Sequence, residues 1–225
     1  MTVLHLADET EAADLAAFLS RLLHYDRGAA VRLQAAGTAL AVFGRPPSFE
    51  VLAVRAVRLA KPYENGLDVT LDVTVSAGEF LEAVDERAAT AAVPAAVTGP
   101  PWVGVLPPRA GWRPEPGLPA PDELRRTVAR AVAEFRSRTE ALAPERRTRA
   151  ELDRIGRDIW SRETAETPLP VRAVHAAQSL GFLRPGTRAA DTGLFSSGAW
   201  LRLRTPYGSV AVRRAGLGPL GVSVR

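Results

Sequence analysis

Residues 93–121 carry nine prolines in 29 positions. Proline fixes φ and has no N–H to donate, so this stretch is neither a helix interior nor a central strand. It predicts an extended linker or strap, and it divides the chain into segments 1–92 and 122–225. It is not a plain tether, because Trp102, Val103, Val105, Leu106 and Trp112 are apolar. Extended proline-rich chains lose little entropy on docking, which makes Trp102 and Trp112 candidate contacts for a protein partner. The simpler reading is that both indoles dock on the chain's own surface, since two freely exposed tryptophans would form a large apolar patch.

Before the strap, the pattern reads α-β-β-β-β-α. Asp8 can cap a first helix, with Glu11 three residues on, and Leu15, Phe18, Leu19, Leu22 and Leu23 follow one helical stripe. Strand-like segments follow at 30–34, 38–43, 51–60 and 67–75, separated by turn residues. In the last of them Val69, Leu71, Val73 and Val75 alternate with Asp68, Thr70, Asp72 and Thr74, the pattern of a half-buried strand. Ser76-Ala77-Gly78-Glu79 is a second capping box, and Phe80, Leu81, Val84 and Ala88 predict a helix behind it.

After the strap, apolar stripes predict helices at 122–142, 148–162 and 171–180, the last with Gly181 as C-cap. A β-hairpin over 199–214 follows, turning at Thr205-Pro206-Tyr207-Gly208. The expected class is α+β: an N-terminal antiparallel sheet with flanking helices, then a helical domain closed by a hairpin.

Three helices followed by a hairpin, with Leu180-Gly181-Phe182 before the wing, resemble a winged helix-turn-helix over about residues 122–214. That resemblance implies that helix 171–180 enters a major groove with Arg172, His175, Gln178 and Ser179 at base edges. The element order of residues 1–92 resembles a half-domain of the DNA sliding-clamp fold, which implies self-association through sheet edges.

Only Lys61 of the 29 basic residues is lysine, and Ala, Gly and Pro are also abundant, so codon bias accounts for the arginines. Their position is more informative. Residues 1–120 carry a net −4 and residues 121–225 a net +8, and after Thr167 there are eight arginines against the single acid Asp191. Such asymmetry points to an anionic partner. With the turn at 205–208, Arg204 falls opposite Ser209, Arg202 opposite Ala211 and Trp200 opposite Arg213. Leu201, Leu203, Val210 and Val212 then face a core, while Trp200, Arg202, Arg204 and Arg213 share the outer face, with Arg214 next in line. Guanidinium groups beside an indole suit phosphates and stacked bases, and a solvated strand face is the plain alternative.

Catalytic patterns are lacking. There is no cysteine, which excludes disulfides, thiolate zinc and a thiol nucleophile. His5, His24 and His175 are far apart in sequence, and none has a partner at metal-ligand spacing. Asp68 and Asp72 could share a cation, but a solvated face explains them. Gly216-Leu217-Gly218-Pro219-Leu220-Gly221 precedes no helix, and Ser196-Ser197-Gly198 is no nucleophile elbow. The uncharged stretch 88–108 is broken by prolines, so no membrane span is expected, and the first residues lack a secretory pattern.

The expectation is a non-enzymatic cytoplasmic protein with no cofactor or metal. Its basic C-terminal domain, 122–225, would bind nucleic acid, DNA rather than RNA, beside an acidic N-terminal interaction domain, 1–92. The alternative is a protein–protein interaction or assembly component whose basic face meets an acidic protein.

Overall fold

Alternating strands build the centre of the molecule, and the computed structural model describes residues 2–60 and 71–214. In chain order these form β1 (Val3–His5), α1 (Glu9–Tyr25), β2 (Ala30–Ala36), β3 (Ala39–Gly44), β4 (Leu52–Arg58) and β5 (Leu71–Ser76). Next come α2 (Ala77–Glu82), β6 (Val84–Asp85), β7 (Thr90–Ala92), β8 (Arg113–Glu115), α3 (Pro121–Glu140) and α4 (Arg149–Trp160). The chain continues through β9 (Glu163–Thr164), β10 (Thr167–Pro170), α5 (Val171–Ser179), β11 (Gly193–Ser197), β12 (Trp200–Thr205) and β13 (Gly208–Arg213). The class is α+β, as the sequence predicts.

Eight strands form one antiparallel sheet in the order β5-β2-β3-β4-β13-β12-β11-β8. The segments before and after the strap meet at β4 and β13, where Val54, Ala53 and Leu52 face Ser209, Val210 and Ala211. One apolar core lies beneath both segments. It joins Leu15, Phe18 and Leu22 of α1 to Ala173, Val174 and Ala177 of α5 and to Leu201, Leu203, Val210 and Val212 of the hairpin. Phe18 stacks on Phe182 with centroids 5.5 Å apart. Gly208 admits that ring, because a Cβ there would lie 2.5 Å from Phe182.

Local signals account for the helix starts. The side chains of Asp8, Ser76 and Thr148 accept from the backbone N–H of Glu11, Glu79 and Glu151 at 2.9, 3.4 and 3.3 Å. Gly181 follows α5 at φ 77, where Phe182 N–H returns to Ala177 O, closing the helix in Schellman fashion.

Other elements differ from expectation. The second helix stops at Glu82 rather than running to Ala88. Asp85 accepts the Ala88 N–H at 2.9 Å, so turn chemistry wins, and β6 pairs with β7, which pairs with β1 in a separate three-stranded sheet. In the predicted strand 67–75, β5 begins at Leu71, while 67–70 and Asp68 lie outside the described residues, as does the segment 216–221. On α4, Asp158 meets Arg162 at 3.2 Å and Asp153 faces Arg149 at 3.8 Å.

The winged-helix geometry is also replaced. The hairpin is not a free wing, since β13 pairs with β4 and β12 with β11. Helix α5 buries Val171, Ala173, Val174, Ala176 and Ala177 and leaves Gln178 exposed. No described helix is long and apolar enough to cross a membrane.

The proline-rich segment crosses the outer face of the sheet from one edge to the other. Val97 N–H donates to Thr74 O of β5 at 2.9 Å, and β8 at the far edge pairs with β11. Between them Trp102 and Leu106 cover Phe43, Leu52 and Val54. Arg32 donates to Val103 O from beneath. Prolines suit this path, because a chain lying across the strands has no ladder to join.

Candidate anion-binding groove

The hairpin has the register its alternation predicts: Trp200 faces Arg213, Arg202 faces Ala211 and Arg204 faces Ser209. Leu201, Leu203, Val210 and Val212 are buried below it. The outer-face residues then divide, because the strap reaches only some of them. Arg202 is largely covered. It donates to Ser209 Oγ at 2.9 Å and lies 5.7 Å from the Trp112 ring, and burial followed by the neighbouring Arg204 charge lowers its pKa. Arg204 is exposed and stacks on Phe195 at 4.8 Å. Arg213 lies 5.7 Å from the ring of Trp200. Arg214 is on the other face, paired with Glu115 of β8 at 2.9 Å, and is not part of the outer set.

Trp200 and Arg213 open into a groove of about 400 Å³ at the end of the sheet. Its floor is Leu52 and Ala211. The strap supplies Pro101, Trp102 and Val105 on one side, while Arg45, Glu50 and Arg172 come from the β3–β4 connection and the start of α5. Glu50 is the sole carboxylate among these lining residues, against three arginines. Two further grooves share its walls. One, of about 660 Å³, also uses Arg45 and Trp102. The other, of about 550 Å³, also uses Glu50 and Arg172 and adds Arg149, Arg157 and Trp160. The three are therefore neighbours around residues 45–50.

Of the α5 residues predicted to read bases, Arg172 alone enters this groove. His175 is half-buried: it stacks on Trp160 with centroids 4.8 Å apart and meets Phe49 edge-on at 5.0 Å, and burial lowers its pKa. Helical spacing puts it one turn from Arg172, but the short turn Pro47–Phe49 covers that face. Gln178 is exposed and faces a different cleft, with Arg21, Arg125 and Arg184. Trp102 and Trp112 dock on their own sheet while keeping part of each ring exposed.

Two participants escape sequence reading. Arg45 and Glu50 sit in an irregular connection whose Gly-Arg-Pro-Pro run predicts only a turn, and turns carry no periodicity to aim a side chain. Glu50 itself adopts a left-handed backbone, φ 52 and ψ 38. Arg55 gives a readable signal, since alternation puts it in phase with Ala53 and Val57, on the apolar side of β4. There it is buried and donates to Glu11 at 2.9 Å, to Asp14 at 3.3 Å and to Tyr207 O at 2.7 Å.

Arginines differ in their partners rather than simply by face, since Arg32 on the outer face is tied to Asp72 at 2.7 Å. Arg55, Arg58 and Arg184 are tied to carboxylates of α1 or its cap. Among the described residues, Arg45, Arg202, Arg204 and Arg213 make no ion pair and lie near Trp102, Trp112, Trp200 or Phe195. No group of three or more His, Asp or Glu side chains among the described residues is placed to hold a metal.

Residues 1–104 are similar to the family described as Domain of unknown function (DUF8010). Residues 107–217 are similar to the family described as Domain of unknown function (DUF8185). The boundary between the two matches falls within the strap, between Trp102 and Trp112, so the groove draws on both. No curated protein and no solved structure matches the chain.

Proposed function

We propose that this is a non-enzymatic cytoplasmic protein that binds single-stranded nucleic acid in the groove beside Trp200 and Arg213. The observation that carries this reading is the clustering of carboxylate-free arginines with partly exposed indoles, in a molecule that neutralises many of its other arginines. Arginine forks match phosphate oxygens, and indole faces accept bases of any sequence by stacking. The single strand is favoured over the duplex because the hairpin is paired into the sheet on both sides and the partly exposed indoles offer stacking faces to unpaired bases. Adjacency of the three grooves favours an extended strand over a mononucleotide.

Fluorescence anisotropy with labelled oligothymidylate and oligouridylate, titrated against salt, tests the reading. Binding should weaken steeply with salt, and Arg213→Ala should reduce the logarithmic slope by about one. Absence of binding to both strands at low salt, or a slope unchanged by Arg213→Ala, refutes it.

A further inference from the structure

Arg172 and Glu50 are the two residues common to the first and third grooves, so a strand passing from one to the other must pass between them. Their contact is poor. Arg172 Nε is 3.8 Å from Glu50 Oε2, beyond hydrogen-bond reach, and this buried N–H has no partner among the described residues. A buried guanidinium N–H without an acceptor is an uncompensated loss of hydration. The Arg172 side chain is 22% exposed and packed into the wall, whereas that of Glu50 is 74% exposed and in contact with water. Glu50 also holds the left-handed conformation that L-residues other than Asn and Asp seldom adopt, in the wall shared by the first and third grooves.

Orphaned donor, exposed carboxylate and unusual backbone converge on one reading. We infer that Arg172 is the phosphate anchor of the groove and that Glu50 occupies it in the free protein as an internal competitor. The carboxylate stands where a phosphate oxygen would, but too far away to satisfy the Arg172 N–H. A phosphodiester that displaces it supplies the missing acceptor and a closer charge-assisted bond. Ligands lacking an anionic group leave Glu50 in place. Nearby Arg45 and Arg213 then receive adjoining phosphates along the same wall.

This assignment rests on the single-strand reading of the groove, and one experiment separates the two. The probe is a fluorescein-labelled oligothymidylate of about twelve nucleotides, a length suited to several neighbouring subsites. Glu50→Gln should tighten its binding by about fivefold, the scale of removing one repulsive surface charge. Arg172→Ala should weaken it by about tenfold, as expected for loss of a charge-assisted contact. The decisive measurement is the double variant: on the Arg172→Ala background, Glu50→Gln should give no gain. Glu50→Gly, which removes the carboxylate and suits the left-handed backbone, should tighten binding like Glu50→Gln.

If the wild type binds but Glu50→Gln and Glu50→Gly leave affinity unchanged, the competitor role is wrong and the single-strand reading survives. An equal gain with and without Arg172 would also overturn the inference, since Glu50 would then act on the whole field rather than on that anchor. Failure of every form to bind defeats the single-strand reading, and this assignment with it.

Discussion

The inner face of the central sheet and the hairpin end of its outer face use the same residue in opposite ways, while Arg32 elsewhere on the outer face is paired with Asp72 at 2.7 Å. On the inner face Arg55 is 4% exposed and is met by Glu11, Asp14 and the Tyr207 carbonyl. On the outer face Arg204 and Arg213 stand beside Phe195 and Trp200 with no carboxylate in reach among the described residues. A buried guanidinium requires compensation because desolvation is expensive, whereas an exposed one does not. In a chain this rich in arginine, the partner each one has, rather than its presence, separates scaffold from site.

That contrast is broken most directly at Arg55. Arg55→Leu takes away the buried partner shared by Glu11 and Asp14, leaving them the more exposed Arg58 and Arg184, and frees the Tyr207 carbonyl, so stability should fall by about 3 kcal/mol in urea denaturation. A loss below about 1 kcal/mol would reduce Arg55 to an ordinary surface pair. Next in size is Trp102→Ala, which uncovers Phe43, Leu52 and Val54 and should cost about 2 kcal/mol. Strand binding should weaken with it, because the same indole walls the groove.

On the outer face, Trp200→Ala should weaken oligothymidylate binding by about tenfold with an unchanged denaturation midpoint, stacking on one ring being worth that much. Equal losses of stability and affinity would instead assign Trp200 to the scaffold.

His175 gives a smaller effect that depends on pH. Burial holds its folded pKa below the ordinary 6.5, so the neutral ring is the form the fold prefers. Its contribution to stability is fully present above about pH 6.5 and is lost as the pH falls from there through the depressed folded pKa. The melting temperature should decline in that window, and His175→Phe should flatten the decline.

The smallest change is expected from Arg204→Ala, which lies outside the groove and should lower the salt slope by about one or less with little effect on fold. A loss of affinity larger than that of Arg213→Ala would shift the ligand path toward Phe195.

Much of the scaffold is legible in the order of residues. The register of β12 against β13 follows from a two-residue loop and strict alternation, both local properties. Capping side chains at Asp8, Ser76 and Thr148 mark their helices for the same reason. The short strands β1, β8 and β11 are not legible, because three to five residues with mixed side chains show no period. The groove is only partly legible. Trp200, Arg213 and Arg172 are suspects from composition and position, but their meeting with Arg45 and Glu50 requires three distant segments to converge.

By itself, then, the sequence determined the α+β class, the main helices, the hairpin faces and the need for a strap that is neither helix nor central strand. These follow from short-range rules: helical and strand periods, caps, turns and the missing proline N–H. Tertiary structure decided that β4 joins β13, that the strap covers Arg202 but leaves Arg204 bare, and that the hairpin is an interior part of the sheet rather than a free wing. It also decided which arginines face a carboxylate. Those outcomes depend on edges and surfaces that meet only after folding, and no local pattern encodes the partner.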